Sequence, residues 1–227
     1  MPRNISTVLF DLDGTLCDTA PDLQQALNQV LALHRRPSIS LQNVKTVASD
    51  GASGLIGKAF GLDNTSDQYE PIKQQLLDHY RDIKSIKTTL YEGMDRVLHY
   101  IEQRGLRWGI VTNKPTSLTE PLLKTLNLAQ RAACVVCGDT LAVSKPDPKP
   151  IIHACELIGA KHKEACYVGD HHRDISAGNA AGLRTITALY GYIADMTAAK
   201  AWPSHAHIHH PSELIPWLGG DIDTQAP

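Results

Sequence analysis

Carboxylates follow two short apolar runs in this sequence. Phe10 leads into Asp11-Leu12-Asp13-Gly14-Thr15, and Val168-Gly169 leads into Asp170, with Asp174 four residues on. Side chains alternate along an extended segment, so Asp11 and Asp13 share one side and Leu12 takes the other. Crowding Asp11, Asp13, Asp170 and Asp174 into one site is strongly unfavourable unless a cation is present. Oxygen-only ligands with room left for water and substrate suit a hard ion, and Mg²⁺ fits best. Two further segments supply the complement. Val111-Thr112-Asn113 offers a hydroxyl and backbone N–H groups, and Ser144-Lys145-Pro146-Asp147-Pro148 offers a fixed positive charge. Such a set suits phosphoryl oxygens, where catalysis is mostly positioning and charge stabilisation. Asp11, an anion at neutral pH if its pKa is the ordinary ~3.9, is the expected nucleophile toward phosphorus. Asp13 is then the expected acid toward the leaving alkoxide and the base toward water.

These groups need a scaffold that gathers strand ends. Five short β-rich segments recur: Ser6–Phe10, Arg107–Val111, Ala133–Cys137, Ala165–Val168 and Arg184–Ala188, with a sixth around His205–Ile208. Amphipathic stretches of helical length, such as Thr116–Leu126 and Pro150–Ile158, lie between the later ones. This alternation predicts βαβ units around a parallel sheet, whose ligands sit beyond the carboxyl ends of the strands. The long interval after the first strand has almost no strand signal. Thr19-Ala20-Pro21-Asp22 reads as a helix start with Thr19 as N-cap, and helical patterns continue over Leu41–Ala48, Ala52–Phe60 and Tyr69–Asp82. Met94–Gln103 is the expected helix returning to the sheet. The expected fold is therefore α/β, a Rossmann-like parallel-sheet core with a small inserted all-α cap. Residues 1–16 and 87–227 form the core and residues 17–86 the cap, hinged at Gly14–Asp18 and about Ile86–Glu92.

A net charge of -2 over 227 residues offers no global attraction to nucleic acid or an anionic membrane, so an anionic ligand must be held locally. The first apolar run, Val8-Leu9-Phe10, ends at Asp11 and is too short for a signal peptide or membrane span. The expectation is a cytoplasmic chain, monomer or homodimer, acting on a small phosphorylated metabolite. Cys17, Cys134, Cys137, Cys155 and Cys166 are an odd, scattered set, which argues against a disulfide framework. Cys134 and Cys137 would point to opposite faces of a strand, so they read as core residues.

The motifs together resemble those of the haloacid dehalogenase superfamily, specifically its phosphatases. Asp11-Leu-Asp-Gly-Thr-Leu16 looks like the first family motif, Thr112-Asn113 the second, Lys145-Pro146 the third and Gly169-Asp170-His-His-Arg-Asp174 the fourth. The resemblance spans essentially the whole chain. It implies Mg²⁺ held by Asp11, the Asp13 carbonyl and Asp170, with Asp174 supporting or contacting it. It also implies that Thr112, Asn113 and Lys145 hold the phosphoryl oxygens of an aspartyl-phosphate. The chain is similar to the phosphoglycolate phosphatase-like group, and Ser144–Pro148 with Ala154-Cys155 looks more like its N-acetylmuramic acid 6-phosphate phosphatases. Phosphoglycolate phosphatases and phosphosugar mutases are the alternatives. His171-His172 departs from the group's usual small or acidic residues.

In the expected cap, the turn Ser49–Gly54 should face the site, with Ser53 and Lys58 as candidate substrate contacts. His205, His207 and His209 would share a strand face, but with His210 they read as an incidental surface cluster. Trp202 and Trp217 are expected to pack the carboxyl-terminal region.

Overall fold

A computed structural model describes residues 5–83 and 85–220. Residues 1–4 and 221–227, at the outer ends of the expected core, and Lys84 of the expected cap lie outside the described residues. The chain opens with β1 (Thr7–Phe10) and β2 (Cys17–Asp18). Four helices follow: α1 (Ala20–Leu33), α2 (Leu41–Lys45), α3 (Gly51–Phe60) and α4 (Tyr69–Ile83). Next come β3 (Thr89–Leu90), α5 (Met94–Gln103), β4 (Arg107–Val111), α6 (Thr116–Thr125) and β5 (Val135–Val136). The remainder is α7 (Lys149–Ile158), β6 (Ala165–Gly169), α8 (His172–Ala180), β7 (Arg184–Ala188), α9 (Met196–Lys200), β8 (Ala206–Ile208) and α10 (Leu214–Trp217).

Among the described residues the main sheet has six strands in the order β5-β4-β1-β6-β7-β8, all parallel. Both faces of β1 are buried, which is why Thr7-Val-Leu-Phe10 reads as a continuous run rather than an alternating one. The faces still separate by period two. Val8, Phe10, Trp108, Ile110, Cys166 and Val168 enter one core cluster, while Leu9, Val111, Ala165 and Tyr167 enter the other. The chain moves outward from β1 through β4 and β5, then returns to its other side with β6, so β1 flanks the switch point where such sheets bind ligands. The third segment is shorter than its sequence suggests, since only Val135 and Val136 pair with β4. None of the five cysteines forms a disulfide, and all five are buried. No helix among the described residues is long and apolar enough to cross a membrane.

The helical cap packs around a second core cluster, which Leu118 of α6 and Tyr192 join from outside it. Leu23, Leu27 and Val30 of α1 pack with Leu55 and Ile56 of α3 and Ile72, Leu76 and Tyr80 of α4. Thr19 does not cap α1: its backbone is already αR, and its hydroxyl donates to Asp13 Oδ1 at 2.5 Å. The Ala20 N–H is met instead by Tyr192 Oη at 2.8 Å. Asp22 accepts from the Lys87 N–H and from the Thr88 hydroxyl, the latter at 2.6 Å. The expected hinges form an antiparallel ribbon, β2 against β3, pairing Cys17 with Leu90 and Asp18 with Thr89.

Candidate active site

Three strand ends open on one spot. β1 delivers Asp11, β4 delivers Thr112 and β6 delivers Asp170, while the first turn of α8 adds Asp174. One oxygen from each of Asp11, Asp170 and Asp174 lies within 4.8 Å of the others, and all three residues are buried. Lys145 Nζ sits among them, 2.9 Å from Asp11 Oδ1 and 2.8 Å from Asp174 Oδ1. It also donates to the Val111 carbonyl at 2.8 Å and to Tyr167 Oη at 2.6 Å, and Tyr167 in turn donates to the same carbonyl.

Burial, with Asp174 alongside, raises the Asp11 pKa against the opposing pull of Lys145. Burial first, then the charges of Asp11 and Asp174, push Asp170 up to about 7. The cause is the carboxylate crowding expected from the sequence motifs, which Lys145 and Arg173 only partly offset. A hard divalent cation matches this all-oxygen donor set. Gly14 permits the close approach. Its φ is +82°, and a Cβ there would run into the Asp170 carboxylate and the Tyr192 ring.

Asp13 stands apart from the carboxylate cluster. Its Oδ1 accepts from Thr19 and pairs with Lys114 Nζ at 3.0 Å, and Lys114 lies 4.4 Å from the centre of the Tyr80 ring. Thr112 lines the cavity, its hydroxyl accepting from the Lys114 N–H. The Asn113 amide is spent on the Lys145 backbone, donating to its carbonyl at 2.9 Å and accepting from its N–H at 3.0 Å. Its side chain thus fixes the lysine loop.

A cavity of about 290 Å³ lies between these residues and the cap, lined by Asp11, Asp13 and Thr112 on one side and Leu55, Leu76 and Tyr80 on the other. The family follows from a match over residues 8–188 to the model described as haloacid dehalogenase-like hydrolase. The chain belongs to the haloacid dehalogenase-like hydrolases. It is 39% identical over 211 residues to the N-acetylmuramic acid 6-phosphate phosphatase of Pseudomonas aeruginosa, covering 93% of each chain. It is 37% identical over 207 residues to a phosphoglycolate phosphatase of Xanthomonas campestris, covering 91% of this chain and 93% of that one. The crystal structure of a "predicted phosphoglycolate phosphatase" from Haemophilus somnus superposes with a TM-score of 0.82 at 26% identity, covering 94% and 98% of the two chains. This haloacid dehalogenase-like hydrolase is a phosphoric monoester hydrolase.

The cap reaches the hydrolase site through the expected turn, but not through the two residues singled out as substrate contacts. Ser53 is exposed and donates to the Asp50 carbonyl, and Lys58 is exposed on α3; neither lines the cavity. Ser49, Asp50, Gly51 and Ala52 do. Sequence reading gives no role to Ser49, Lys114, Tyr167 or Arg173. Lys114 carried a signal, since it directly follows a strand-end Thr-Asn pair, whereas Tyr167 looks like any core aromatic. Asp147 accepts from the Lys149 N–H at the start of α7 and does not line the cavity. His205, His207 and His210 bind separate partners, Thr185, Ser204 and Ser212. Trp202 packs edge-on to His172.

Proposed function

We propose that this chain hydrolyses a small phosphate monoester through an aspartyl-phosphate on Asp11, with Mg²⁺ held by Asp11, Asp170 and the Asp13 carbonyl. The observation that carries the reading is the buried triad Asp11, Asp170 and Asp174, with Lys145 bridging Asp11 and Asp174. The cation would neutralise charge on the phosphoryl oxygens. An Asp11 oxygen forms a bond to phosphorus as the bond to the leaving alkoxide breaks, and the alkoxide takes its proton from Asp13. Asp13 then takes a proton from water, whose oxygen attacks phosphorus and releases Asp11. Lys114 and Thr19 hold Asp13 facing the cavity for both transfers. Lys145 and Thr112 serve the phosphoryl oxygens, and Asn113 serves them indirectly by fixing Lys145. The cap, residues 17–86, moves on the β2–β3 ribbon to admit substrate and exclude water.

For the substrate we favour N-acetylmuramic acid 6-phosphate. Relatives named for that activity support this, as does the cavity wall. Leu23, Leu55, Leu76, Leu77 and Leu118 suit the methyl groups of an acylated, lactyl-bearing sugar, and Lys73 and Arg173 suit its carboxylate. The test compares kcat/KM for muramic acid 6-phosphates, 2-phosphoglycolate and hexose phosphates in the presence of Mg²⁺. Preference for 2-phosphoglycolate would move the assignment to the phosphoglycolate phosphatases, and phosphate release only with a bisphosphate activator would make the chain a mutase. Asp11→Asn should fold normally yet release no phosphate above background; substantial turnover would refute Asp11 as nucleophile.

A further inference from the structure

The cap turn ahead of α3 touches the Asp170 loop at three points. Ser49 Oγ donates to Asp170 Oδ2 at 2.8 Å, and Asp50 Oδ1 lies 3.1 Å from His171 Nε2. The Arg173 guanidinium donates to the Ser49 carbonyl. Two other donors meet Asp170, the Thr15 hydroxyl on Oδ1 at 3.0 Å and the Tyr192 N–H on Oδ2 at 2.9 Å. Both come from outside the helical bundle. A serine that only joins helices keeps its hydroxyl on nearby backbone, as Ser53 does with Asp50. Ser49 instead reaches across to the core, and it is buried while Asp50 beside it is exposed. Its orientation is fixed from both ends. Arg173 anchors its carbonyl, and Gly54 lets the turn close tightly, since a Cβ there would meet the Asp50 side chain and the Val47 carbonyl.

We propose that Ser49 is a positioning residue for Asp170 contributed by the cap, so that cap closure and cation binding favour one another. The inference rests on the metal-dependent reading above. Donors that orient a metal-binding carboxylate are worth a large part of the metal's affinity. Here one of them arrives only when the cap is shut. Linkage then requires the reverse effect as well: a bound cation, by fixing Asp170 as a charged acceptor, holds Ser49 and the turn behind it.

The test uses the full chain without substrate. Mg²⁺ affinity is measured by calorimetry, and amide exchange across residues 46–54 is followed with and without Mg²⁺. In the unaltered protein, Mg²⁺ should protect this turn. Ser49→Ala should weaken Mg²⁺ binding about tenfold and abolish the Mg²⁺-induced protection. Ser49→Thr, which keeps the hydroxyl, should keep both. An alanine variant that binds Mg²⁺ within about twofold of the unaltered protein, or whose turn Mg²⁺ still protects equally, overturns the proposal. Failure of the unaltered protein to bind Mg²⁺ overturns the metal-dependent reading and this inference with it, and is distinct from a failure confined to the comparison of variants.

Discussion

Replacing Asp170 by Asn should make the metal-free protein more resistant to alkaline pH. Asp170 is 1% exposed, and burial, then Asp11 and Asp174, push its pKa from the ordinary 3.8 up to about 7. Between those values the folded protein keeps a proton that the unfolded chain has released. A folded pKa raised in this way contributes stability that is fully present below about pH 4 and is lost as pH rises through about 7. The gap corresponds to about 4 kcal/mol, of which about 3 kcal/mol is lost between pH 5 and pH 8. That is a large part of the roughly 5–15 kcal/mol that holds a domain together. Asp11 shifts in the same direction, raised by its own burial and by Asp174. The assay is urea unfolding in chelator at pH 5 and pH 8. The unaltered protein should lose about 3 kcal/mol more than Asp170→Asn over this interval. Adding Mg²⁺ at pH 8 should restore the loss in the unaltered protein, because the cation replaces the proton. Equal stability of the metal-free protein at the two pH values, or the same loss in the variant, would refute the reasoning.

Two further substitutions test the lysine at the centre of the triad. Lys145→Met removes the cation between Asp11 and Asp174 and leaves two buried carboxylates without their paired ammonium, at a cost of about 3–5 kcal/mol in urea unfolding with chelator, and phosphatase turnover should be lost with it. Tyr167→Phe removes an oxygen that both accepts from Lys145 and donates to the Val111 carbonyl, so stability should fall by about 1–3 kcal/mol, with a reduced kcat as Lys145 loses one of its supports.

The sheet was readable because its strands obey rules that act locally. Apolar runs of β-rich residues recur, and the distances between them suit helices, so β1, β4, β6 and β7 fall within a residue or two of their expected limits. Met94–Gln103 has the anticipated bounds of α5. The carboxylates were legible for a similar reason: strand ends converge whatever the details of packing. What escaped depends on long-range geometry. Thr19 has the residue type and position of a helix cap, yet its hydroxyl goes to Asp13, a partner no local rule selects. The turn Ser49–Gly54 does reach the site, but α3 begins at Gly51, and this leaves Ser53 and Lys58 exposed while Ser49 turns inward. The bonds from the Asn113 amide to the Lys145 backbone depend on the approach of the lysine loop, which no local rule predicts.

The two crossings between cap and core run side by side, with Cys17 facing Leu90 and Asp18 facing Thr89. Neighbouring strands lie about 4.8 Å apart, so the sheet meets residues 19–88 as it would meet the tip of a hairpin. A graft with such closely spaced ends places few demands on its host. Lengthening or exchanging it adds little closure entropy, because that cost grows only with the logarithm of loop length. The sheet can therefore keep its phosphoryl chemistry while the grafted helices change, provided that each new graft brings back a hydroxyl where Ser49 now stands.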